Sequence, residues 1–150
     1  LDACAELGVT FVAFSPVGRG FFADAALRPE TFHEADLRRG MPRFAPDNYA
    51  KNLARLEAAR QIARELGCSI PELALGWVLA QGEHVVAIPG TTRIDHLEQN
   101  FRALELELAD ATVARLGALF APEAIAGNRY SAAMQQSIDT ECFDFERAGD

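Results

Sequence analysis

The chain has 150 residues, 49% hydrophobic and 24% charged, a balance that fits an ordinary globular domain and excludes a disordered or fibrous polymer. A formal net charge of −8 repels nucleic acid and anionic membrane surfaces, so any anion site has to be local. No apolar run is long enough to span a membrane and nothing resembles a signal peptide; the three cysteines, Cys4, Cys68 and Cys142, are too scattered for a metal site, so free thiols in a reducing, cytoplasmic setting are expected.

Leu1, Cys4, Ala5 and Leu7 read as the last turns of a helix stopped by Gly8, and with no initiator methionine a stretch upstream is expected to be missing. Val9–Phe14 is an apolar strand that runs into Ser15-Pro16-Val17-Gly18-Arg19-Gly20. That loop offers a hydroxyl, small residues for close backbone approach and a cation, which suits the edge of a cofactor; it also reads as a rigid surface turn. From Phe21 to Tyr49, prolines at 29, 42 and 46 and scattered aromatics break every period. The apolar content of this segment predicts an ordered lid, with His33 an ordinary surface residue.

Asn48 or Asn52 opens the next predicted helix, with Leu53, Leu56, Ala59, Ile62, Ala63 and Leu66 on one face and Gly67 as its stop. Ser69-Ile70-Pro71-Glu72 is a capping box, and the helix it starts, through Leu73, Leu75, Trp77, Val78 and Leu79, is apolar nearly all round. It should be deeply packed, with Trp77 in the core and His84 on the turn beyond it. Val85–Ile88 is a second strand, β-branched at three of four places and suited to burial on both faces of a parallel sheet. Pro89 and Gly90 end it, and Ile94, Leu97, Phe101 and Leu104 then repeat as one face of a helix, with Thr92 as its expected cap and Asp95 three residues on. Free N–H groups at that helix start, worth about 0.3 to 1 kcal/mol toward an anion, and Arg93, worth about 1.5 to 3 kcal/mol toward a phosphate, make a candidate anion site. An ordinary βα loop with a surface arginine fits the same spacing. Asp110 is expected to cap a last amphipathic helix carrying Val113, Leu116, Leu119 and Phe120, ended before Pro122, and Pro122–Asp150 reads as a tail that packs partly and frays.

Strands alternating with helices mean parallel β/α units, and two strands are too few for a stable sheet of that kind. The predicted fold is therefore α/β, the C-terminal portion of a TIM (β/α)8 barrel, incomplete in this chain. A closed barrel takes about 250 residues, and such barrels often bind phosphate in the loops after their last two strands. Residues 1–150 form one partial domain on this reading, the last two β/α units plus a tail.

Phe11 to Gly20, taken with Ile88-Pro89-Gly90-Thr91-Thr92-Arg93, Leu97-Glu98-Gln99-Asn100 and the intervening Ala74 to Gln81, resembles the C-terminal part of the aldo-keto reductases. Arg43-Phe44 and Gly127-Asn128-Arg129-Tyr130 are similar to the bacterial and plant-type branch. The resemblance implies an NADP(H)-dependent oxidoreductase that reduces aldehydes or ketones to alcohols. It implies that Ser15, Pro16, Val17 and Gly20 lie along the pyrophosphate and ribose, and that Gly90, Thr91, Thr92 and Arg93, following Ile88, hold the adenosine 2′-phosphate. Gln99 and Asn100 match the pair that touches the adenine, with His96 facing the adenosine.

Thr92 stands where many relatives place a lysine or serine, and Gln99 replaces a frequent glutamate, so preference for NADP(H) rests mainly on Arg93. The family's catalytic tyrosine and its lysine, aspartate and histidine come from strands of the first half of the barrel, and none of those motifs occurs here. Tyr49, Tyr130 and Lys51, the only residues of their types, stand outside such a context, so no catalytic residue is assigned. The expected partners are a small carbonyl substrate and the missing N-terminal half, in cis or in trans. A non-catalytic nicotinamide-binding half-barrel, similar to channel-associated subunits, is the alternative; another barrel enzyme that binds sugar phosphates shares the physics but not the combined motifs.

Overall fold

A computed structural model describes residues 1–25 and 27–136; Cys142 and the end of the tail lie outside them. The helices are α1 (Asp2–Leu7), α2 (Pro46–Leu66), α3 (Ile70–Leu79), α4 (Ile94–Arg102), α5 (Asp110–Leu119) and the single turn α6 (Ala132–Gln135), and the strands are β1 (Phe11–Phe14) and β2 (Val85–Ile88). They fall into two compact units, Leu1–Leu27 with Ala58–Gly117, and Arg28–Glu57 with Ala118–Asp150.

In the first unit, Gly8 ends α1 in the left-handed region at φ 65, a conformation that costs glycine nothing. Val9 N–H donates to the Cys4 carbonyl at 2.8 Å as part of that helix stop, so it is lost to the ladder. The strand therefore starts at Phe11, whose N–H meets the His84 carbonyl at 2.7 Å, two residues later than the apolar run predicts. β1 and β2 are parallel, with Phe11 opposite Val85 and Phe14 opposite Ile88.

Burial on both faces is not what these strands have. Val85 is buried, but Phe11, Val12, Phe14, Val86 and Ile88 are exposed, because among the described residues the two-stranded sheet meets α3 at β2 and nothing covers its other face. Nor is the apolar face of α4 covered: Ile94 is 77% exposed and Phe101 63%.

The core of this unit lies where α3 meets its neighbours. The capping box forms as predicted: Ser69 N–H donates to Glu72 Oε2 at 2.8 Å, and Glu72 N–H to Ser69 Oγ at 3.3 Å. Glu72 also accepts from Arg102 Nε at 2.7 Å, which pins α4 to the start of α3. Burial pushes the Glu72 carboxyl up, but the Ser69 N–H, the Ser69 hydroxyl and the Arg102 guanidinium outweigh it and hold the group below its ordinary value. Leu73 and Leu75 are buried, and Gly76 lies where a Cβ would meet Leu106 Cδ2 at 2.9 Å. Half-buried Trp77 donates from Nε1 to the Val113 carbonyl at 3.0 Å, tying α3 to α5. Asp110 is the first residue of α5 and not its cap, since the Ala109 carbonyl already accepts from Thr112 and Val113.

In the second unit, α2 opens at Pro46, whose missing N–H is no loss in a first helical turn. The asparagines expected to open the helix serve elsewhere. Asn48 donates to the Pro42 carbonyl at 3.0 Å; buried Asn52 donates to the Ala126 carbonyl at 3.0 Å and accepts from its N–H at 2.9 Å. The division between the units falls within α2; on its predicted apolar face Leu56 is buried in the second unit and Ala59, Ile62 and Ala63 in the first, while Leu66, in the last turn, is exposed. The irregular segment is ordered by short 3₁₀ turns at Pro29–Thr31, Leu37–Gly40 and Pro42–Phe44 and by aromatics. Phe44 packs edge-on against Phe32 at 5.8 Å and stacks with Tyr49 at 6.2 Å. Arg38 lies 4.2 Å over the Phe32 ring and pairs with Asp36 at 2.6 Å, which pulls the Asp36 carboxyl down to about 2. His33 caps a local turn, accepting from Ala35 N–H at 3.1 Å.

Gly127→Ala should cost this unit roughly 2 to 4 kcal/mol, because φ is +85 and a Cβ would sit 2.8 Å from the Pro42 backbone; denaturant unfolding measures it. For Glu72 the sign follows from its depressed folded pKa: the stabilisation is full above the unfolded value of about 4.3 and is lost as pH falls through the lower folded value. Glu72→Gln should remove that component from the acid limb of the stability curve, and Ser69→Ala should cost about 1 kcal/mol at neutral pH.

Candidate functional site

The parallel register sets Phe14 beside Ile88, so the loops after β1 and β2 leave the same end of the sheet on strands about 4.8 Å apart. The first loop is wound tightly. Ser15, Gly18, Arg19 and Gly20 all have positive φ, at 52, 58, 57 and 88, and the turn closes through Gly18 N–H to the Ser15 carbonyl at 2.9 Å and Gly20 N–H to the Val17 carbonyl at 3.1 Å. The left-handed conformation costs Ser15 and Arg19 about 1 to 2 kcal/mol each, and such strain concentrates at ligand clamps. Pro16 and Val17 are half-buried within it.

In the second loop the cap is not the one the sequence predicts. Arg93 holds the N-cap position of α4, with no side-chain cap bond. Thr91 Oγ1 instead accepts from Arg93 N–H at 3.1 Å; this hydroxyl turn consumes the donor one residue early, and Thr92 is left exposed. Asp95 does not reach back as a capping-box partner either. Its carboxylate takes the Arg93 guanidinium in a two-point pair, Nε to Oδ1 at 3.0 Å and Nη2 to Oδ2 at 2.6 Å. That contact pulls the Asp95 carboxyl down to about 2 and raises Arg93 further. At Gly90 nothing lies within 4 Å of where a Cβ would be, so the backbone there is open to close approach.

Further along α4, His96 is exposed and Asn100 half-buried. Gln99 Nε2 donates to Asp24 Oδ2 at 2.8 Å. Asp24 is a site residue that sequence reasoning missed. Its other carboxylate oxygen accepts from Ile70 N–H at 3.3 Å and its carbonyl from Arg60 Nη2 at 3.4 Å, so it ties the first loop to α3 and α4. Beside it is a depression of about 280 Å³ lined by Arg60, Arg64, Cys68 and Ser69; burial, and then the Glu72 charge, push the Cys68 thiol up.

Tyr49, Tyr130 and Lys51 all belong to the second unit. There Tyr49 is buried, and the Arg129 guanidinium lies 5.4 Å from the centre of the Tyr130 ring.

The chain has known relatives. The sequence model of the aldo/keto reductase family matches residues 1–120. The chain belongs to that family. Over 130 residues it is 39% identical to aldo-keto reductase yakc [NADP(+)] of Schizosaccharomyces pombe, covering 87% of this chain and 38% of that protein. Over 140 residues it is 35% identical to aldo-keto reductase str7 of Strobilurus tenacellus, covering 93% of this chain and 42% of that one. The chain thus spans about two fifths of the length of these relatives. Among solved structures it is similar to the thermostable aldo-keto reductase Tm1743, determined with the inhibitor epalrestat, at TM-score 0.51 and 27% identity over 79% of this chain and 32% of that one. Membership of the aldo/keto reductases and this likeness imply a TIM barrel, with which the parallel strands and their helices agree. No helix among the described residues is long and apolar enough to cross a membrane.

In this aldo/keto reductase chain, Gly18→Ala should weaken the first loop by about 1 to 2 kcal/mol, since alanine pays the left-handed penalty and its Cβ would press on Phe22 Cδ2 at 3.0 Å. Denaturant unfolding followed by tryptophan fluorescence reads the loss.

Proposed function

We propose that this chain is the cofactor-binding C-terminal part of an NADP(H)-dependent oxidoreductase that reduces aldehydes or ketones to alcohols. The observation that carries this reading is the meeting of two phosphate-compatible loops at the same end of adjacent parallel strands, with Arg93 at the start of α4. The residues fit the group. The open backbone at Gly90, the first turn of α4 and the Arg93 guanidinium suit a 2′-phosphate, and the tightly wound Ser15–Gly20 loop suits a pyrophosphate and ribose.

On this reading Gly90, Thr91, Thr92 and Arg93 hold the 2′-phosphate beyond the end of β2 at Ile88, and Ser15, Pro16, Val17 and Gly20 lie along the pyrophosphate. Gln99 and Asn100 take the adenine, and His96 faces the adenosine. When bound, the nicotinamide supplies the hydride that reduces the carbonyl carbon. This chain's residues bind and orient; the proton donor, a tyrosine with its supporting lysine, aspartate and histidine, belongs on this reading to polypeptide outside the chain. Two observations support that division. The apolar faces of β1, β2 and α4 are uncovered, and the relatives are more than twice as long. Residues 1–150 are then the last two β/α units of a barrel plus a tail, in a cytoplasmic setting that suits the free thiols of Cys4 and Cys68.

The same uncovered faces fit the second reading, a nicotinamide-binding half-barrel that docks on a separate chain. Intact mass of the natural product separates the two: a mass of a full barrel supports the reductase in cis, and 16.3 kDa supports the partner in trans. For the cofactor itself, Arg93→Ala should raise the Kd for NADPH about ten- to a hundredfold, equivalent to about 1.5 to 3 kcal/mol, and leave NADH binding nearly unchanged. Equal effects on both cofactors would overturn the assignment.

A further inference from the structure

We propose that Asp95 sets how strongly this site discriminates for a 2′-phosphate, by competing with it for Arg93. The inference rests on the cofactor reading above and deepens it. A guanidinium has five N–H donors, and its Nε and Nη2 edge is one of the two edges that grip an oxyanion at two points. In this chain that edge is taken by Asp95, at 3.0 and 2.6 Å, and among the described residues the Arg93 side chain has no other hydrogen bond. A phosphate arriving at the start of α4 meets an ion pair in place of a cation, with a carboxylate in the first turn of the helix. It has to displace Asp95 from Arg93 or accept the remaining edge while facing the carboxylate.

The size of the effect follows from exposure. The side chains of Arg93 and Asp95 are 64% and 60% exposed, so the pair is held by little besides itself and is screened by solvent and salt. Asp95 therefore tunes the preference and does not abolish it. With Thr92 supplying no charge, the discrimination rests mainly on this one pair.

The test uses the polypeptide as its gene encodes it, and calorimetry with adenosine 2′,5′-bisphosphate and NADPH, against 5′-AMP and NADH. Asp95→Asn keeps the shape and removes the charge; Asp95→Ser, a good residue at a helix start, is the second variant should the first fail to fold. Both should tighten the two 2′-phosphorylated ligands roughly two- to fivefold at low ionic strength, leave 5′-AMP and NADH unchanged, and lose the gain as salt is raised. In an Arg93→Ala background the same substitutions should have a smaller effect, because the competition is then gone. Unchanged or weaker binding of the bisphosphate in both variants, with Arg93→Ala still destroying discrimination, would overturn the role of Asp95 alone. Wild-type binding of the bisphosphate no tighter than 5′-AMP would overturn the cofactor reading itself, and the role of Asp95 with it.

Discussion

The parallel pairing of β1 with β2 is the constraint on which the rest of the candidate site depends. With Phe14 opposite Ile88, the chain leaves both strands at one level, and whatever the two loops carry is brought into one place. A slip of one residue would turn every strand side chain to the other face and displace Gly90 and Arg93 from the Ser15–Gly20 turn. The register begins at the Phe11 N–H, which is free for the ladder because the helix stop at Gly8 has absorbed Val9. A glycine in the left-handed region thus sets the phase of a loop more than six residues away.

A second hub supports the first. Glu72 closes the N-terminus of α3 and holds Arg102 at the far end of α4, so the helix that carries Arg93, His96, Gln99 and Asn100 is anchored at its C-terminal end by a partly buried ion pair. In that same last turn Gln99 attaches it to Asp24, and only the Thr91 turn sets its N-terminal end. Its outward apolar face has no such support. Among the described residues the unit is well packed around α3 and bare on the far side of its sheet.

Local signals were legible in the sequence wherever one short-range rule decided the outcome. Gly8, the Ser69 to Glu72 box and the Val85–Ile88 strand are such cases. The reading failed where two local rules compete: Thr91 and Thr92 are both good turn hydroxyls, and spacing alone does not say which takes the Arg93 N–H. Asn48 and Asn52 read as helix openers because their partners, Pro42 and Ala126, cannot be inferred from neighbours in the sequence. Asp24 had no signal at all, lying in an aperiodic stretch with its partners at residues 60, 70 and 99. The burial expected of the strands was read from composition, which reports what a strand is suited to and not whether a second layer is present.

The second unit is assembled from segments far apart in the chain. Asn52 closes on Ala126 across 74 residues, and Gly127 seals against Pro42. A ribosome adding about 5 to 20 residues per second needs on the order of 4 to 15 s to cover that interval. During this time the aromatic segment around Phe44 and Tyr49 waits for its partner while residues 58–117 of the first unit are made between the two halves. The order of synthesis therefore completes the first unit before Ala126 and Gly127 are available to close the second.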